Sequence, residues 1–257
     1  MAGIGIRDVI KVVVYTIITF VATVLLTVET PATGGYFNLG EAAIYTIAFM
    51  APPLITAISS GLGPALADLA LGYWYFAPAT FVIKFSEGFV VSKLLNWLRS
   101  KQHEKAVLNI IRALAIALAT VLTVIVIVAE ASLGGGAGVE FSWTPTTFLG
   151  LSIPIPNLKI VLPSLAWIVI AVVFIIVTIL SIAMWGKPYV ISMAVGGLIM
   201  VTGYFLYEYF VSNPIILHRE AQAAIFEIPV NIGQFVAGII LSYPLVQFIE
   251  RAKGSRG

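Results

Sequence analysis

The chain has 257 residues, 60% of them hydrophobic and only 10% charged, with a net charge of +2. A soluble domain carries about 25% charged residues, and a chain of this length has too little interior to hide so much apolar surface, so a bilayer must take it. The absence of cysteine excludes disulfides, thiolate catalysis and cysteine metal sites.

In chain order, eight apolar segments predict membrane spans at roughly 9–28, 41–60, 62–76, 79–98, 107–129, 160–185, 189–211 and 223–249. A span needs about 20 residues, so the short third segment is expected to be tilted or partly inserted. Each segment must satisfy its own backbone in lipid, and none alternates as a barrel strand would. The expected fold class is therefore all-α, a polytopic membrane helix bundle. The first apolar run exceeds that of a signal peptide and no cleavage site follows it, so this span is expected to be retained.

Ionisable and amide side chains inside such segments are costly and are functional candidates. The loop after the first span reads Thr33-Gly34-Gly35-Tyr36-Phe37-Asn38-Leu39-Gly40-Glu41. Its glycines permit a tight backbone, and Tyr36 and Phe37 can close over a ligand. Asn38 and Glu41 equally fit a capping box that opens the second helix. A turn at 77–78 would leave Asp68 and Lys84 ~10–14 Å from it on neighbouring helices, which makes an Asp68–Lys84 pair feasible. Glu87 follows Lys84 by three and shares its face. The plain reading of Lys84 with Asp68 or Glu87 is an ion pair that holds helices together.

Glu208 lies near one end of its segment, with Tyr204 one turn deeper. In the last segment Glu227, Asn231, Gln234, Gly238 and Ser242 recur at helical spacing as one polar stripe. Asn231 and Gln234 also fit interhelical hydrogen-bond glue. Glu208 and Glu227 alone fit solvated interfacial carboxylates, and Tyr36, Trp74 and Tyr75 an aromatic belt. The convergence of these groups near one side points to a single pocket.

Lysine and arginine set the orientation. With eight spans, Arg7 and Lys11, the cluster Lys93, Arg99, Lys101, Lys105 and Arg112, then Lys187, and finally Arg251, Lys253 and Arg256 fall on one side. That side is expected to be cytoplasmic, with both termini inside a plasma membrane. Only Lys159 and Arg219 fall opposite. Gly186-Lys187-Pro188 lacks the hydroxyl and upstream glycine of a phosphate-binding loop, so the chain is not expected to hydrolyse ATP. No His-Glu-x-x-His or Gly-x-Ser-x-Gly occurs, and His103 and His218 lie apart between apolar segments. No enzyme, cofactor or metal site is expected. The basic residues are explained by topology, so nucleic-acid binding is not expected either.

Three runs carry a family resemblance: Tyr36-Phe37-Asn38-Leu39-Gly40-Glu41, Gly63-Pro64-Ala65-Leu66-Ala67-Asp68, and Tyr75-Phe76-Ala77-Pro78-Ala79-Thr80-Phe81-Val82-Ile83-Lys84 with Glu87-Gly88. Gly203-Tyr204-Phe205-Leu206-Tyr207-Glu208-Tyr209 and Ile228-Pro229-Val230-Asn231-Ile232-Gly233-Gln234 agree with them. Together they resemble the substrate-binding S components of energy-coupling factor (ECF) vitamin transporters, over about 1–98 and 189–250. The resemblance implies a six-helix core that takes a vitamin or related heteroaromatic micronutrient from outside. It also implies a T protein and two cytoplasmic ATPases as partners, with toppling of the S component to release substrate inside. Residues 106–185, with an outer loop at 130–159, are then an inserted helix pair. The family's small-residue docking motif on the first helix has its best counterpart in Thr19, Ala22, Thr23 and Thr27.

On this reading the substrate site comprises Tyr36, Phe37, Asn38, Glu41, Asp68, Lys84, Glu87, Tyr204, Glu208, Asn231 and Gln234, with 34–41 as a lid. A flat heteroaromatic ligand, a flavin or a pyrimidine, suits amides and charges beside aromatic rings. Two other classes fit the composition. One is a stand-alone ion-coupled carrier that uses Asp68, Lys84 or Glu87 as a proton relay; the other is a non-transporting scaffold. Co-purification with ATPases and a T protein, or ion-driven transport by the lone chain, separates them.

Overall fold

The structure, a computed structural model, describes residues 5–30, 33–100 and 187–254 throughout, and between them parts of 109–128, residue 169 and four short strands. The first helix, α1 (Ile6–Leu25), is followed by β1 (Val28–Thr30) and β2 (Gly35–Phe37). Then come α2 (Gly40–Met50), α3 (Pro53–Leu71) and α4 (Ala77–Ser100). The strands β3 (Val139–Trp143), β4 (Thr147–Phe148), β5 (Leu151–Ser152) and β6 (Leu158–Leu162) precede α5 (Pro188–Tyr207). A π-helix (Glu208–Ile216) continues α5, and a 3₁₀ turn (Ala221–Phe226) leads into α6 (Glu227–Gly254).

Among the described residues, four helices are long and apolar enough to cross a bilayer: Ile6–Leu25, Pro53–Leu71, Pro188–Ile216 and Ala221–Ala252. Helix α4 is equally long but carries Lys84, Glu87, Lys93 and Arg99. The chain is thus a mostly helical, multi-pass membrane protein. The expected spans at 107–129 and 160–185 fall largely outside the described residues, and 160–162 belongs to strand β6 rather than to a helix.

The expected spans 41–60 and 62–76 are divided differently. Pro52 and Pro53 remove two backbone donors and disfavour helix at the residue before them. The chain therefore breaks at Ala51, and the apolar stretch continues as α3 through residue 61 without interruption. The break frees the Ala51 carbonyl, which accepts hydrogen bonds from the Ser92 hydroxyl at 2.9 Å and the Thr56 hydroxyl at 3.3 Å. Such side-chain satisfaction is what lets a helix break inside lipid. Helix α2, at 11 residues, is shorter than the about 20 that a span needs. It runs buried through the centre, with Ile44, Tyr45, Ala48 and Phe49 in the core beside Met193, Leu198 and Phe235, and Ile47 in a second cluster with Ala51 and Ile55 against Val12 and Tyr15 of α1.

Helix α1 turns Ile6, Val9, Val13, Ile17 and Val21 outward, as a lipid-facing stripe must be. Its other side packs inward, which corrects the expected docking face. Thr19, Thr23 and Thr27 are buried against the rest of the chain, and Ala22 is half-buried beside them. The Thr19 hydroxyl donates to the Ser59 carbonyl of α3 at 2.9 Å. Small residues at four-residue spacing do permit close helix approach; here the helix approached is the chain's own. The contact is tight at Gly63, where an added Cβ would sit 1.9 Å from Thr19 Oγ1, 2.7 Å from the Thr16 carbonyl and 2.8 Å from the Phe20 nitrogen. Gly63→Ala should therefore lower stability by about 1–3 kcal/mol. A thermal midpoint in detergent reads this. Thr19→Ala should restore only part of it, because the two backbone atoms remain in the way.

An all-α description is also incomplete. Strands β2-β1-β3-β6 form one antiparallel sheet, and β4-β5 a hairpin. Strand β1 pairs with β2 through Val28↔Phe37, Glu29↔Tyr36 and Thr30↔Gly35, and with β3 through Glu29↔Ser142. Residues from the 130–159 region thus extend the strand pair that leads into the 34–41 loop. Helix α3 ends at Gly72, whose φ of 90° lets the Gly72 and Tyr73 amides cap the Asp68 and Leu69 carbonyls. The turn lies at 72–76, not at 77–78.

Candidate functional site

The 33–38 segment is tied down at three points. The Thr33 hydroxyl donates to Glu227 Oε2 at 2.5 Å, the Tyr36 hydroxyl donates to Asp68 Oδ1, and the Asn38 backbone N–H donates to Gln234 Oε1 at 2.9 Å. An aromatic brace adds to this. The Tyr75 hydroxyl donates to the Gly34 carbonyl at 3.0 Å, the Tyr73 hydroxyl to Glu29 at 2.6 Å, and the Tyr36 and Tyr73 rings lie 4.7 Å apart. Burial, and then Glu29, hold the Tyr73 hydroxyl above its usual range, so it remains a neutral donor.

Beneath this segment lies a cavity of about 380 Å³, mouth included. Gly35, Tyr36 and Asn38 close it from the loop, and Pro64 and Asp68 line it from α3. Phe76, Thr80 and Lys84 line it from α4 and the turn before it, Tyr204 and Glu208 from α5 and the π-helix, and Glu227, Asn231 and Gln234 from α6. A concavity that combines aromatic faces with a few convergent polar groups has the lining chemistry of small-molecule sites.

Of the expected site residues, Tyr36, Asn38, Asp68, Lys84, Tyr204, Glu208, Asn231 and Gln234 share this cavity. Phe37 does not line it. Glu41 and Glu87 stand one layer behind, where both meet Lys84: the ammonium bonds Glu41 Oε1, and reaches Glu87 Oε2 at 3.1 Å. The Tyr45 hydroxyl donates to the other Glu87 oxygen at 3.0 Å. The expected Asp68–Lys84 pair is not formed. With the turn at 72–76, Asp68 lies within one turn of the end of α3, whereas Lys84 lies about 10 Å along α4, so the two are staggered.

The capping-box reading fails in the same way. Asn38 Oδ1 accepts the Gly40 N–H at 2.8 Å, but the Glu41 carboxylate turns to Lys84. In the α6 stripe only Glu227, Asn231 and Gln234 reach the cavity. Gly238 packs against Glu41 and Tyr45, and the Ser242 hydroxyl lies 3.6 Å from Met193 Sδ. Glu208 and Glu227 are not solvated: their relative exposures are 1% and 2%. Cavity residues absent from the expected set are Gly35, Pro64, Phe76, Thr80 and Glu227. Thr80 precedes Lys84 by one helical turn and accepts the Tyr204 hydroxyl at 3.1 Å. That spacing was the signal for it.

The buried charged side chains among the described residues are Glu41, Asp68, Lys84, Glu87, Glu208 and Glu227, five acids and one base. Asp68 Oδ2 and Glu208 Oε2 are buried, have no hydrogen-bond partner, and belong to residues that line the cavity. Unpaired acceptors in a dry site are costly, so the cavity presents them to whatever hydrogen-bond donors enter it.

The family model for the ECF-type riboflavin transporter S component matches residues 3–142. The chain belongs to this family. That family is one of membrane transport subunits, and the long apolar helices of this chain agree with it. The matched stretch contains the loop, α3 and α4, while the walls from α5 and α6 lie outside it. A protein of Pyrococcus woesei, described as an uncharacterized protein in the gap 3′ region, is 41% identical over 71 residues, covering 28% of this chain. The S component spans about half the length of that relative, 47%. No solved structure matches the chain.

Proposed function

We propose that this S component captures a flavin, riboflavin itself or a close relative, in the cavity between the 33–38 segment and helices α3 to α6. The observation that carries the reading is the pairing of two unpartnered buried carboxylate oxygens, on Asp68 and Glu208, with Tyr36, Phe76 and Tyr204 around one cavity. A flavin has ring faces for the aromatics, and ring N–H and polyol O–H donors for the carboxylates. Asn231 supplies a further amide. Glu41 and Glu87 fix Lys84, and Gln234 fixes the lid at Asn38. The loop opens toward the outside of the cell, and substrate passes inward once a T protein and two ATPases engage the bundle. Because the threonine side of α1 is packed internally, that engagement uses a different surface.

Extraction in mild detergent followed by mass spectrometry of retained small molecules tests the reading. A flavin in the extract is the expected result. A retained pyrimidine or other vitamin, with no flavin binding on titration, would overturn it. Co-purification of a T protein and ATPases is expected from the native membrane.

A further inference from the structure

We propose that strand β3 clamps the lid: the pairing of Glu29 with Ser142 must part before substrate can leave, so the 139–162 strands set how long the cavity holds it. This rests on the reading of the cavity as a substrate site, and not on which vitamin fills it.

The 33–38 segment closes the cavity, but part of its support lies elsewhere. Strand β2, which carries Gly35 and Tyr36, is an edge of the sheet and hangs on β1. The turn between them is closed by the Thr33 and Gly34 N–H groups, which donate to the Thr30 carbonyl at 3.1 and 2.9 Å, so β1 and β2 form one unit. With three residues in each strand this unit is marginal alone, as isolated two-stranded hairpins are. The rest of the sheet supplies what it lacks: β3 lies along the other side of β1, and β6 extends β3. Open sheet edges are not tolerated in hydrocarbon, so the sheet stands in the water or headgroup layer beyond the helix ends.

The joints of this sheet differ in length. Among the described residues, β3 and β6 share five residue pairs, from Val139↔Leu162 to Trp143↔Leu158, and β1 and β2 share three. Strands β1 and β3 share one, Glu29↔Ser142. The shortest joint therefore divides the sheet into two hairpins, one that carries the lid and one from 139–162. Opening of the lid as a unit breaks this joint. Glu29 is its centre. Its backbone lies between Tyr36 and Ser142, and its carboxylate accepts the Tyr73 hydroxyl at 2.6 Å. The Tyr73 ring lies 4.7 Å from that of Tyr36, which lines the cavity. The joint and the cavity wall are thus two contacts apart.

The chain has no cysteine, so Glu29→Cys with Ser142→Cys allows a single disulfide. Opposed residues of antiparallel strands have Cα atoms about 4.5–5.5 Å apart, within the span of that bond. The oxidised and reduced forms of this purified full-length variant are compared, so loss of the Glu29 carboxylate is common to both. The disulfide should form under mild oxidation. It should slow amide hydrogen exchange over 33–38 by at least about tenfold, and riboflavin release by a similar factor. Ser142→Pro, which breaks the ladder at that residue, should speed both. Failure of the disulfide to form would overturn the pairing and the clamp with it. A formed disulfide with equal exchange over 33–38 in the two forms would mean that the lid opens without leaving β3, and would overturn the clamp. Slowed exchange in a protein that binds no riboflavin would overturn the flavin reading and leave the clamp in place.

Discussion

Lys84→Met should be the most damaging single change in the bundle, costing about 3–5 kcal/mol. The side chain is 2% exposed and is held by Glu41 and by Glu87 at 3.1 Å. Its removal leaves two carboxylates facing each other in a membrane interior with no cation between them. A charge buried without its partner is penalised far more than an exchange of the whole cluster for neutral groups. The loss should therefore be largely recovered in the triple variant with Glu41→Gln and Glu87→Gln, and partly in either double variant. Asp68→Asn should give no recovery, because Asp68 bonds Tyr36 and not Lys84. Denaturant titrations arranged as double-mutant cycles measure this. Additive effects with both glutamates, or rescue by Asp68→Asn, would contradict the pairing described.

Asp68→Ala should have the largest effect on ligand affinity. One Asp68 oxygen takes the Tyr36 hydroxyl and the other is without a partner in the cavity wall. Truncation removes a ligand acceptor and one tie of the lid together. Hydrogen bonds to a charged group are worth about 1.5–3 kcal/mol, so affinity should fall roughly 10- to 150-fold. Tyr36→Phe removes only the tie, keeps the ring, and should cost about tenfold or less. The ratio of the two separates holding the lid from holding the ligand. Equal effects would mean that Asp68 acts through Tyr36 alone.

The clustering of site residues was legible because helical periodicity is local. Asn231 follows Glu227 by four residues and Gln234 follows Asn231 by three, and all three reach the cavity. The same rule placed Lys84 and Glu87 together but could not name their third partner, because Glu41 arrives from a helix 43 residues away in sequence. The Ala51 break was written in Pro52-Pro53, yet unbroken hydropathy across 41–60 hid it. The Ser92 hydroxyl that makes the break tolerable comes from another helix. The threonine stripe of α1 illustrates a different limit. Small residues every four positions specify a close contact, but not whether the contacting helix belongs to the same chain. What settles it here is Gly63, which leaves room for the Thr19 hydroxyl and nothing more. The small sheet was invisible because each strand is five residues or fewer, and its pairing joins Glu29 to Ser142, far apart in sequence. Glu208 and Glu227, each taken alone, also fitted a solvated interfacial carboxylate, because burial at a helix end depends on the loop that covers it.

The central claim is that the cavity under the 33–38 segment binds a flavin without help from ATP or partner proteins. Quenching of riboflavin fluorescence on titration with the purified chain tests it most directly. The account predicts saturable binding at one flavin per chain, with a dissociation constant of about micromolar or below, and clear weakening in Asp68→Ala and Asn231→Ala. Absence of quenching at saturating protein, or quenching that both variants leave unchanged, would contradict it.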